Sequence, residues 1–446
     1  MAALNINHAG YDRRLAVIQT ILDRLGLTAT SITPVEYVEH SPFPYNNFLY
    51  KLDLAAPATA ANFTPKPCTT LPPAEGISTL ILKLSNPKAE GLNNTNRVEN
   101  DVIASSLIRD SLSQRAPDMA DIVPAVYAWE PFTDPSPNAD EASSGWTLMG
   151  YRPGSNLDGH FATLDEHAQA AVMEQVATIL SAIQAVQLPA GVTGLGGMTV
   201  AGDGVIITGE RSILPGGPWP SYADMLASKL QFQLGGDAEH SPVLRGWRYN
   251  GALRAKLDDF ISSPAIAQVL ARGGVDVNHR VLTHGDFTMN NMLYDPATGR
   301  ISALLDFDWA AVAHPAHEFF SGLHDLQGGT HPGDAALQSA VLTGDFNTTT
   351  AAADEDNKEV STTPAWTQAR TWDAALLKAG GLRPSSLAGI TTLESLRELE
   401  DLVAPFALCH SVMLSRAPAD RTQALKAETE AKLDALLDSL ILQAGI

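Results

Sequence analysis

The sequence predicts an α+β chain in which a small β-rich amino-terminal part precedes a larger, mainly helical part. Three observations support this class. Short runs with β-strand character are concentrated in the first 150 residues. Helical patterns dominate the remainder, the clearest of them over 163–186. The stretch Val281–Trp309 indicates short strands joined by a polar loop and a tight turn, and we expect the functional residues to cluster there.

The first 150 residues contain two predicted helices and a series of predicted strands. One helix lies over Tyr11–Leu25, where apolar residues recur on one helical face, and a second is expected over Asn96–Leu112, carrying Glu99 and Asp101. The strands are expected at Ile32–Val38, Phe48–Leu54, Ile77–Leu84, Ile122–Trp129 and Trp146–Tyr151. The segment 55–76 is rich in Ala, Pro and Thr without periodicity, so we expect a flexible, exposed insertion.

The second part begins with a helix over Thr163–Val186, for which Thr163 and Glu166 form a predicted capping box. A hairpin is expected within Gly196–Leu214, turning at Asp203-Gly204, and a helix follows from Tyr222 to about Leu234. The segment 328–383 is polar and mixed and is expected to be an irregular insertion. Helices from about Leu393 to Leu440 should close the chain, with a break at Pro405.

The central stretch predicts a site built from three oxygen-bearing side chains. Apolar runs at 292–294 and 301–305 flank a Pro- and Gly-containing turn, which predicts a hairpin. Folding that hairpin brings its open ends together, so Asn291 and Asp306 should face each other, with Asp286 five residues before Asn291. Mg²⁺ takes such oxygen ligands while retaining places for phosphate oxygens. A separate carboxylate can orient a hydroxyl and accept its proton.

The residues His284-Gly285-Asp286 followed by Asn291 match the spacing H-x-D-x-x-x-x-N. In that layout the Asp is the catalytic base, the Asn binds metal, and a downstream Asp binds metal. On these residues the chain resembles the aminoglycoside phosphotransferase family, relatives of choline kinase and, more remotely, of protein kinases. The resemblance implies a bilobal protein kinase-like fold with an amino-terminal lobe over 1–150 and a catalytic, substrate-binding lobe over 151–446.

The resemblance also implies roles for individual residues. Asp286 would be the base, Asn291 and Asp306 would hold Mg²⁺ with ATP, and His284 and Asp308 would support them. Lys83 would steady the phosphates, paired with either Glu99 or Asp101. Asn46 or Asn47 would cover the phosphates, although a plain Asn-rich turn is an alternative. Backbone groups of Met149–Tyr151 would meet the adenine, and Asp308 could bind metal, touch substrate or lie behind the site.

The composition of the chain limits the classes of binding partner and the cellular compartment that we expect. The 446 residues carry a formal net charge of −21, which argues against a nucleic-acid partner and makes a cationic acceptor a hypothesis. Two cysteines in no metal or redox spacing favour a reducing compartment. We see neither a secretory signal nor an apolar run long enough to span a membrane, so we expect a cytoplasmic protein that acts on a small hydroxyl compound. The oligomeric state is left open.

The sequence also permits functions other than a small-molecule kinase. A kinase-like module that binds a nucleotide or a partner without turnover is the main alternative, although Lys83, Asp286, Asn291 and Asp306 are all intact. Protein-directed activity is disfavoured because no A-P-E segment is present. The histidines at 314 and 317 do not have H-E-x-x-H spacing or its inverse, so a metal site there is disfavoured and Glu318 is expected to be structural.

Overall fold

The computed structural model describes residues 5–35, 44–136, 139–213, 216–329, 334–346 and 363–445. Its strands are β1 (Ala29–Pro34), β2 (Asn47–Ala58), β3 (Ile77–Ser85), β4 (Val126–Glu130), β5 (Trp146–Gly150), β6 (Ser155–Asn156), β7 (Gly197–Val200), β8 (Ile206–Gly209), β9 (Val281–Thr283), β10 (Met292–Asp295), β11 (Arg300–Leu304) and β12 (Ala311–Ala313). Its helices are α1 (Tyr11–Arg24), α2 (Arg97–Arg115), α3 (Asp158–Phe161), α4 (Glu166–Gln184), α5 (Tyr222–Gly235), α6 (Asp237–His240), α7 (Gly251–Ser262), α8 (Ala265–Arg272), α9 (Ala316–Ser321), α10 (Ala335–Thr343), α11 (Pro364–Lys378), α12 (Ile390–Val403), α13 (Phe406–Cys409), α14 (Ser411–Arg416) and α15 (Ala419–Ala444).

The amino-terminal lobe is built on a five-stranded antiparallel sheet in the order β1-β2-β3-β5-β4. Alternate residues of β2, from Phe48 to Leu54, are buried on one face, as the two-residue period of a half-buried strand requires. Helix α1 packs its buried Ile18, Ile21 and Leu22 into the same core. The β-rich amino-terminal part that the sequence predicts is therefore present.

Two details of this lobe differ from the predictions. The strand expected from Ile122 begins only at Val126, because Pro124 has no N–H for the sheet. The expected strand at 32–38 is β1, which ends at Pro34, and residues 36–38 lie outside the described part of the chain.

The segment 55–76 is largely exposed, as its composition indicated, but several of its residues pack on the sheet. Its first four residues continue β2. Phe63 is buried and stacks on Tyr127, with 5.9 Å between ring centroids. The indole N–H of Trp129 donates to the carbonyl of Pro67 at 3.0 Å. Aromatic contacts and backbone hydrogen bonds hold this segment on the sheet although it has no hydrophobic periodicity.

Helix α2 joins the two lobes. From Ile103 onwards, one face of α2, including Ile108 and Leu112, is buried in the core of the carboxy-terminal lobe. There it packs against α4, whose Val176, Ile179 and Leu180 belong to the same core. The amino-terminal half of α2 lies beside the sheet of the small lobe and carries residues of the candidate site.

Helix α4 begins at Glu166, slightly later than predicted, and the predicted cap is wrong. The side chain of Asp165 accepts a hydrogen bond from the N–H of Ala168 at 2.8 Å, so Asp165 is the N-cap. The hydroxyl of Thr163 instead donates to the carbonyl of His160. The sequence offers two capping residues close together, and only the path of the chain decides between them.

The described part of the segment 328–383 is mostly helical, whereas its composition indicated an irregular insertion. Helix α10 and helix α11 cover much of it, and α11 packs against α4. The low-complexity part at 348–362 lies outside the described residues. The helical end of the chain is present, with the expected break at Pro405 between α12 and α13. Within the described residues, no helix combines the length and apolar character needed to cross a bilayer.

Candidate active site

The candidate site is a cavity of about 550 Å³ between the small-lobe sheet and the loops of the large lobe. One wall is formed by β2, β3 and β5, and the opposite wall by the residues around β10 and the end of β11. Among the residues predicted for nucleotide and metal binding, the cavity is lined by Asn46, Lys83, Asp101, Met149, Tyr151, Asn291 and Asp306.

The hairpin predicted from the central stretch is present and forms the floor of the site. Strands β10 and β11 pair antiparallel, with Met292 opposite Leu304, and β6 adds a third strand. At the open end, the N–H of Leu305 donates to the carbonyl of Asn291 at 2.9 Å. Asp306 follows directly, so the hairpin brings residues 291 and 306 to the same end.

The loop before the hairpin is held by a buried carboxylate. Glu318 is 2 % exposed, and its two oxygens accept the backbone N–H groups of His284, at 2.6 Å, and Gly285, at 3.0 Å. Burial raises the pKa of Glu318 to about 7, against the two hydrogen bonds that lower it. Glu318 thus has the structural role that the sequence predicted, at the start of the loop that carries Asp286.

Gly285 adopts φ +82°, in the left-handed region. A Cβ at this position would lie 2.3 Å from the carbonyl oxygen of Trp309. Glycine is therefore required here both by the backbone conformation and by the close approach of the segment after Asp308.

The imidazole of His284 is fully buried and connects the two halves of the motif. Its Nε2 lies 3.0 Å from the carbonyl oxygen of Leu305, and its Nδ1 is 3.4 Å from the N–H of Asp286. Burial lowers the pKa of His284, so the ring is neutral, with Nε2 donating and Nδ1 accepting. The histidine therefore supports the loop without contributing a charge.

Asp286 and Asn291 contact each other directly. The amide of Asn291 donates to the backbone carbonyl of Asp286 at 2.9 Å and to its Oδ2 at 2.8 Å. Within the described residues, Oδ1 of Asp286 and Oδ1 of Asn291 accept no hydrogen bond. One oxygen of each side chain therefore remains for a substrate hydroxyl or a metal ion.

Asp306 has a left-handed backbone with φ 59°, and its side chain is 38 % exposed. The neighbouring N–H of Phe307 donates to Oδ1 of Asp101 at 3.1 Å. Helix α2 thus contacts the backbone directly after Asp306, and the Asp306 carboxylate lies at the cavity surface.

Lys83 lies among three carboxylates. Its Nζ is 3.2 Å from Asp101, 3.2 Å from Asp306 and 2.9 Å from Asp308. Burial alone would lower the pKa of Lys83, but the three carboxylates outweigh burial and raise it. The lysine is therefore charged.

Asp101 rather than Glu99 pairs with Lys83, which answers a question that the sequence left open. The side chain of Glu99 lies near Thr199, and burial raises its pKa. Its Oε2 is buried and makes no hydrogen bond within the described residues. The two acids are only two residues apart on α2 and therefore lie on different faces of the helix.

Asp308 lies behind the cavity and is 2 % exposed. Its Oδ1 contacts Lys83, and its Oδ2 accepts hydrogen bonds from Arg97 at 2.7 Å and from Asn47 at 2.7 Å. Burial would raise the pKa of Asp308, but Arg97 and Lys83 outweigh burial and lower it. The sequence analysis did not identify Arg97, because its partner Asp308 lies 211 residues later in the chain and no local spacing indicates the pair.

The other positions that the resemblance assigned to the nucleotide also line the cavity. Met149 and Tyr151 line the cavity at the end of β5. The N–H of Gly150 between them already donates to the carbonyl of Ala125 at 2.9 Å, so it is not available to an adenine. Asn46 lines the cavity next to Asn47, and residues 41–43 of the expected phosphate-covering stretch lie outside the described part of the chain.

Oxygen ligands suited to Mg²⁺ are available at this site. Among the described residues, Asp101, Asp306 and Asp308 are the group whose potential ligand atoms lie close together, within 4.8 Å of one another. Asp308 is a poor ligand because both of its oxygens already bind cations or an amide. The partly exposed carboxylate of Asp306 and the free oxygen of Asn291 fit a hard divalent ion.

The two histidines after the hairpin contact different parts of the core. His314 stacks on Tyr222, with 5.1 Å between ring centroids, and its Nδ1 accepts the N–H of Ala316. His317 instead contacts Arg211 through Nε2 at 2.8 Å. The two rings have separate partners, which are those of core histidines.

Several solved structures are similar to the chain at low identity. They include a Plasmodium vivax ethanolamine kinase (13% identity, TM-score 0.40, 95% of this chain and 85% of that chain). A streptomycin-ATP-APH(2")-IIa ternary complex has 9% identity and a TM-score of 0.40, over 94% of this chain and 95% of that chain. An aminoglycoside phosphotransferase APH(3'')-Id from Streptomyces rimosus has 13% identity and a TM-score of 0.33, over 82% and 98%.

These likenesses are too distant to carry an argument about activity. No curated protein matches the chain. At the level of sequence, a model of the phosphotransferase enzyme family, APH, matches residues 78–355, which is more than half of the chain and includes Lys83, Asp286, Asn291 and Asp306. The chain therefore belongs to the phosphotransferase enzyme family.

Proposed function

We propose that the protein is a small-molecule kinase that transfers the γ-phosphate of ATP, with Mg²⁺, to a hydroxyl group of its acceptor. Family membership supports phosphotransferase activity. The observation that carries the proposal is that Lys83, Asn291 and Asp306 line one cavity, with Lys83 3.2 Å from Asp306 and the Asn291 amide 2.8 Å from Asp286. Such transfer depends mainly on positioning and on stabilising charge, and these side chains supply both.

Asp286 is assigned as the base. Its Oδ2 is held by Asn291, so its free Oδ1 can accept the proton of the acceptor hydroxyl. The acceptor oxygen then bonds to the γ-phosphorus, and the bond from this phosphorus to the bridging oxygen breaks, leaving ADP. The base must be within hydrogen-bond reach of the hydroxyl, which places the acceptor beside residues 286–291.

Asn291 and Asp306 are assigned as the residues that would hold Mg²⁺. The ion would supply charge neutralisation to the phosphate oxygens. Lys83, anchored by Asp101, is assigned to the phosphates, and Asn46 to the same end of the cavity. The end of β5, with Met149 and Tyr151, is assigned to the base of the nucleotide.

The identity of the acceptor is a separate part of the proposal. The formal net charge of −21 attracts cations, so we propose a cationic hydroxyl compound. Phosphorylation of neutral sugars without any activity on amino alcohols or amino sugars would contradict this part alone.

The central test is ATP consumption with Mg²⁺ across a panel of hydroxyl compounds. The Asp286→Asn variant should lose about 10²- to 10⁴-fold in kcat, because it loses general-base catalysis. Its affinity for ADP should be retained, since Asp286 is not assigned to the nucleotide. Asp295→Asn is the matched control, because Asp295 lies in the turn of the same hairpin and accepts hydrogen bonds only locally among the described residues.

Two results would contradict the assignment. Equal loss of activity in both variants would show that Asp286 acts through folding. ADP binding without turnover of any acceptor in wild-type protein would favour the alternative, a nucleotide-binding relative without catalysis.

A further inference from the structure

Arg97, the first residue of α2, is fully buried. It lies beside Asn46, at the end of the cavity that is assigned to the phosphates and is called the phosphate end here. Its guanidinium donates five hydrogen bonds. Nη2 reaches the carbonyl of Asn46 at 2.6 Å, Oδ1 of Asn47 at 3.1 Å and Oδ2 of Asp308 at 2.7 Å. Nη1 contacts the carbonyl of Asn86 and Oδ1 of Asn94, each at 3.3 Å. One side chain thus connects the turn before β2, the segment after β3 and the loop after β11.

The turn that Arg97 holds contains no glycine. Residues 45–48 line the cavity, and the carbonyl of Asn46 also accepts the N–H of Asn86 at 3.0 Å. The side chain of Asn46 makes no hydrogen bond within the described residues. The turn is therefore fixed through its backbone while the Asn46 side chain remains unengaged.

Asp308 fixes the other side of Arg97. Asp308 contacts Lys83 through Oδ1, and Arg97 and Asn47 through Oδ2. Arg97 and Lys83 therefore share one buried carboxylate, so displacement of either cation changes the surroundings of the other. Removing one partner of such a buried ionic contact leaves the other charge uncompensated, so each group depends on the other.

We propose that Arg97 is a positioning residue for the nucleotide, which it serves by fixing the Asn46–Asn47 turn above the phosphate end of the cavity. This inference rests on the proposed function. Arg97 need not touch the nucleotide. It takes the place of a flexible Gly-rich loop by holding a stiffer turn in one arrangement, and it links that turn through Asp308 to the residues assigned to phosphate and metal.

A purely structural role makes a different prediction. If Arg97 served folding alone, its replacement would lower the unfolding temperature, yet the folded molecules would bind nucleotide as before. If Arg97 has a positioning role, its replacement should lower the affinity of the folded protein for nucleotide. The KM for ATP should then rise by a larger factor than kcat falls. The KM for the acceptor should stay unchanged.

The test compares Arg97→Gln with Arg109→Gln. Arg109 lies on the same helix, donates to Val123 and Asp121, and does not line the cavity. Binding of fluorescent N-methylanthraniloyl-ADP with Mg²⁺ is titrated at equilibrium on folded protein. Arg97→Gln should raise the dissociation constant about tenfold or more, because nucleotide binding would then have to supply the roughly 1.4 kcal/mol that orders the turn. Arg109→Gln should change it less than about twofold.

Asn47→Ala serves as the second variant if Arg97→Gln does not fold. Asn47 is only partly buried and contacts both Arg97 and Asp308, so its loss should weaken ADP binding in the same direction. Unchanged affinity in the folded variants, or equal changes in the Arg97 and Arg109 variants, would overturn the inference alone. Absence of ADP binding by wild-type protein would overturn the proposed function, and the inference with it.

Discussion

At the scale of single residues, Gly285 shows how closely the loop that carries Asp286 packs against the backbone of Trp309. Replacement by alanine would force a side chain into the left-handed region and bring its Cβ within 2.3 Å of the carbonyl of Trp309. We expect Gly285→Ala to lower the free energy of unfolding by about 2–3 kcal/mol and to reduce kcat, because Asp286 follows directly. Chemical denaturation and steady-state kinetics measure the two effects.

Gly274 provides the control for that substitution. It has φ +74°, but a Cβ there would meet no atom within 4 Å. Gly274→Ala should therefore cost only the backbone strain, about 1 kcal/mol. Equal costs in the two variants would show that the approach of Trp309 is unimportant.

At the scale of elements, the cap of α4 can be tested directly. Asp165→Ala removes the acceptor for the N–H of Ala168 and should destabilise the carboxy-terminal lobe by about 1 kcal/mol. Thr163→Ala removes only the hydrogen bond to His160 and should cost less. The denaturation midpoints of both variants measure the two losses of stability. A larger loss for Thr163→Ala would show that Thr163 is the N-cap, as the sequence predicted.

Helices and strands with a clear periodicity of apolar residues were predicted well from the sequence. Segments without such a periodicity were not. The hairpin of β10 and β11 and the helices α1, α2 and α5 follow from local patterns of apolar residues and turn residues. Segment 55–76 has no such pattern, yet Phe63 holds it through a contact with Tyr127, a residue far away in sequence. Contacts of this kind depend on the completed sheet and leave no periodic signal in the segment itself.

The candidate site was likewise only partly predictable from the sequence. The spacing from His284 to Asn291 and the hairpin before Asp306 follow from local sequence, and the structure brings these residues together. The choice between Glu99 and Asp101 depends on how α2 is rotated against β3. The role of Arg97 depends on Asp308, 211 residues later in the chain. Rotation and distant pairing are properties of the tertiary structure.

At the scale of the whole molecule, buried histidines make stability depend on pH. Burial lowers the pKa of His314 to about 4 from the ordinary 6.5, and burial likewise lowers the pKa of His317. As pH falls from about 6.5 to about 4, the unfolded chain gains protons that the folded chain does not, so the free energy of unfolding decreases. Above pH 6.5 the full contribution of both residues is present.

The His314→Asn variant tests this dependence, because an Asn oxygen can replace Nδ1 as acceptor for Ala316. Between pH 6.5 and 4 the variant should lose less stability than wild type, by up to about 3 kcal/mol. His240→Asn, at an exposed position, should behave as wild type. Glu318 is present in both proteins, and its raised pKa makes the free energy of unfolding change with pH in the opposite direction. Subtracting the wild-type pH dependence from that of the variant therefore leaves the contribution of His314. Parallel pH curves would contradict the assignment.

The ammonium group of Lys83 has a consequence for the order in which ligands enter. Because Lys83 contacts Asp306, a divalent ion that bound there alone, as in the proposed function, would compete with an internal cation for the same carboxylate. An ion already bound to a triphosphate would bring anionic oxygens that could become new partners of the lysine. Under that proposal, loading the two together would exchange one ionic contact for another, whereas bare metal would have to break a contact without replacing it.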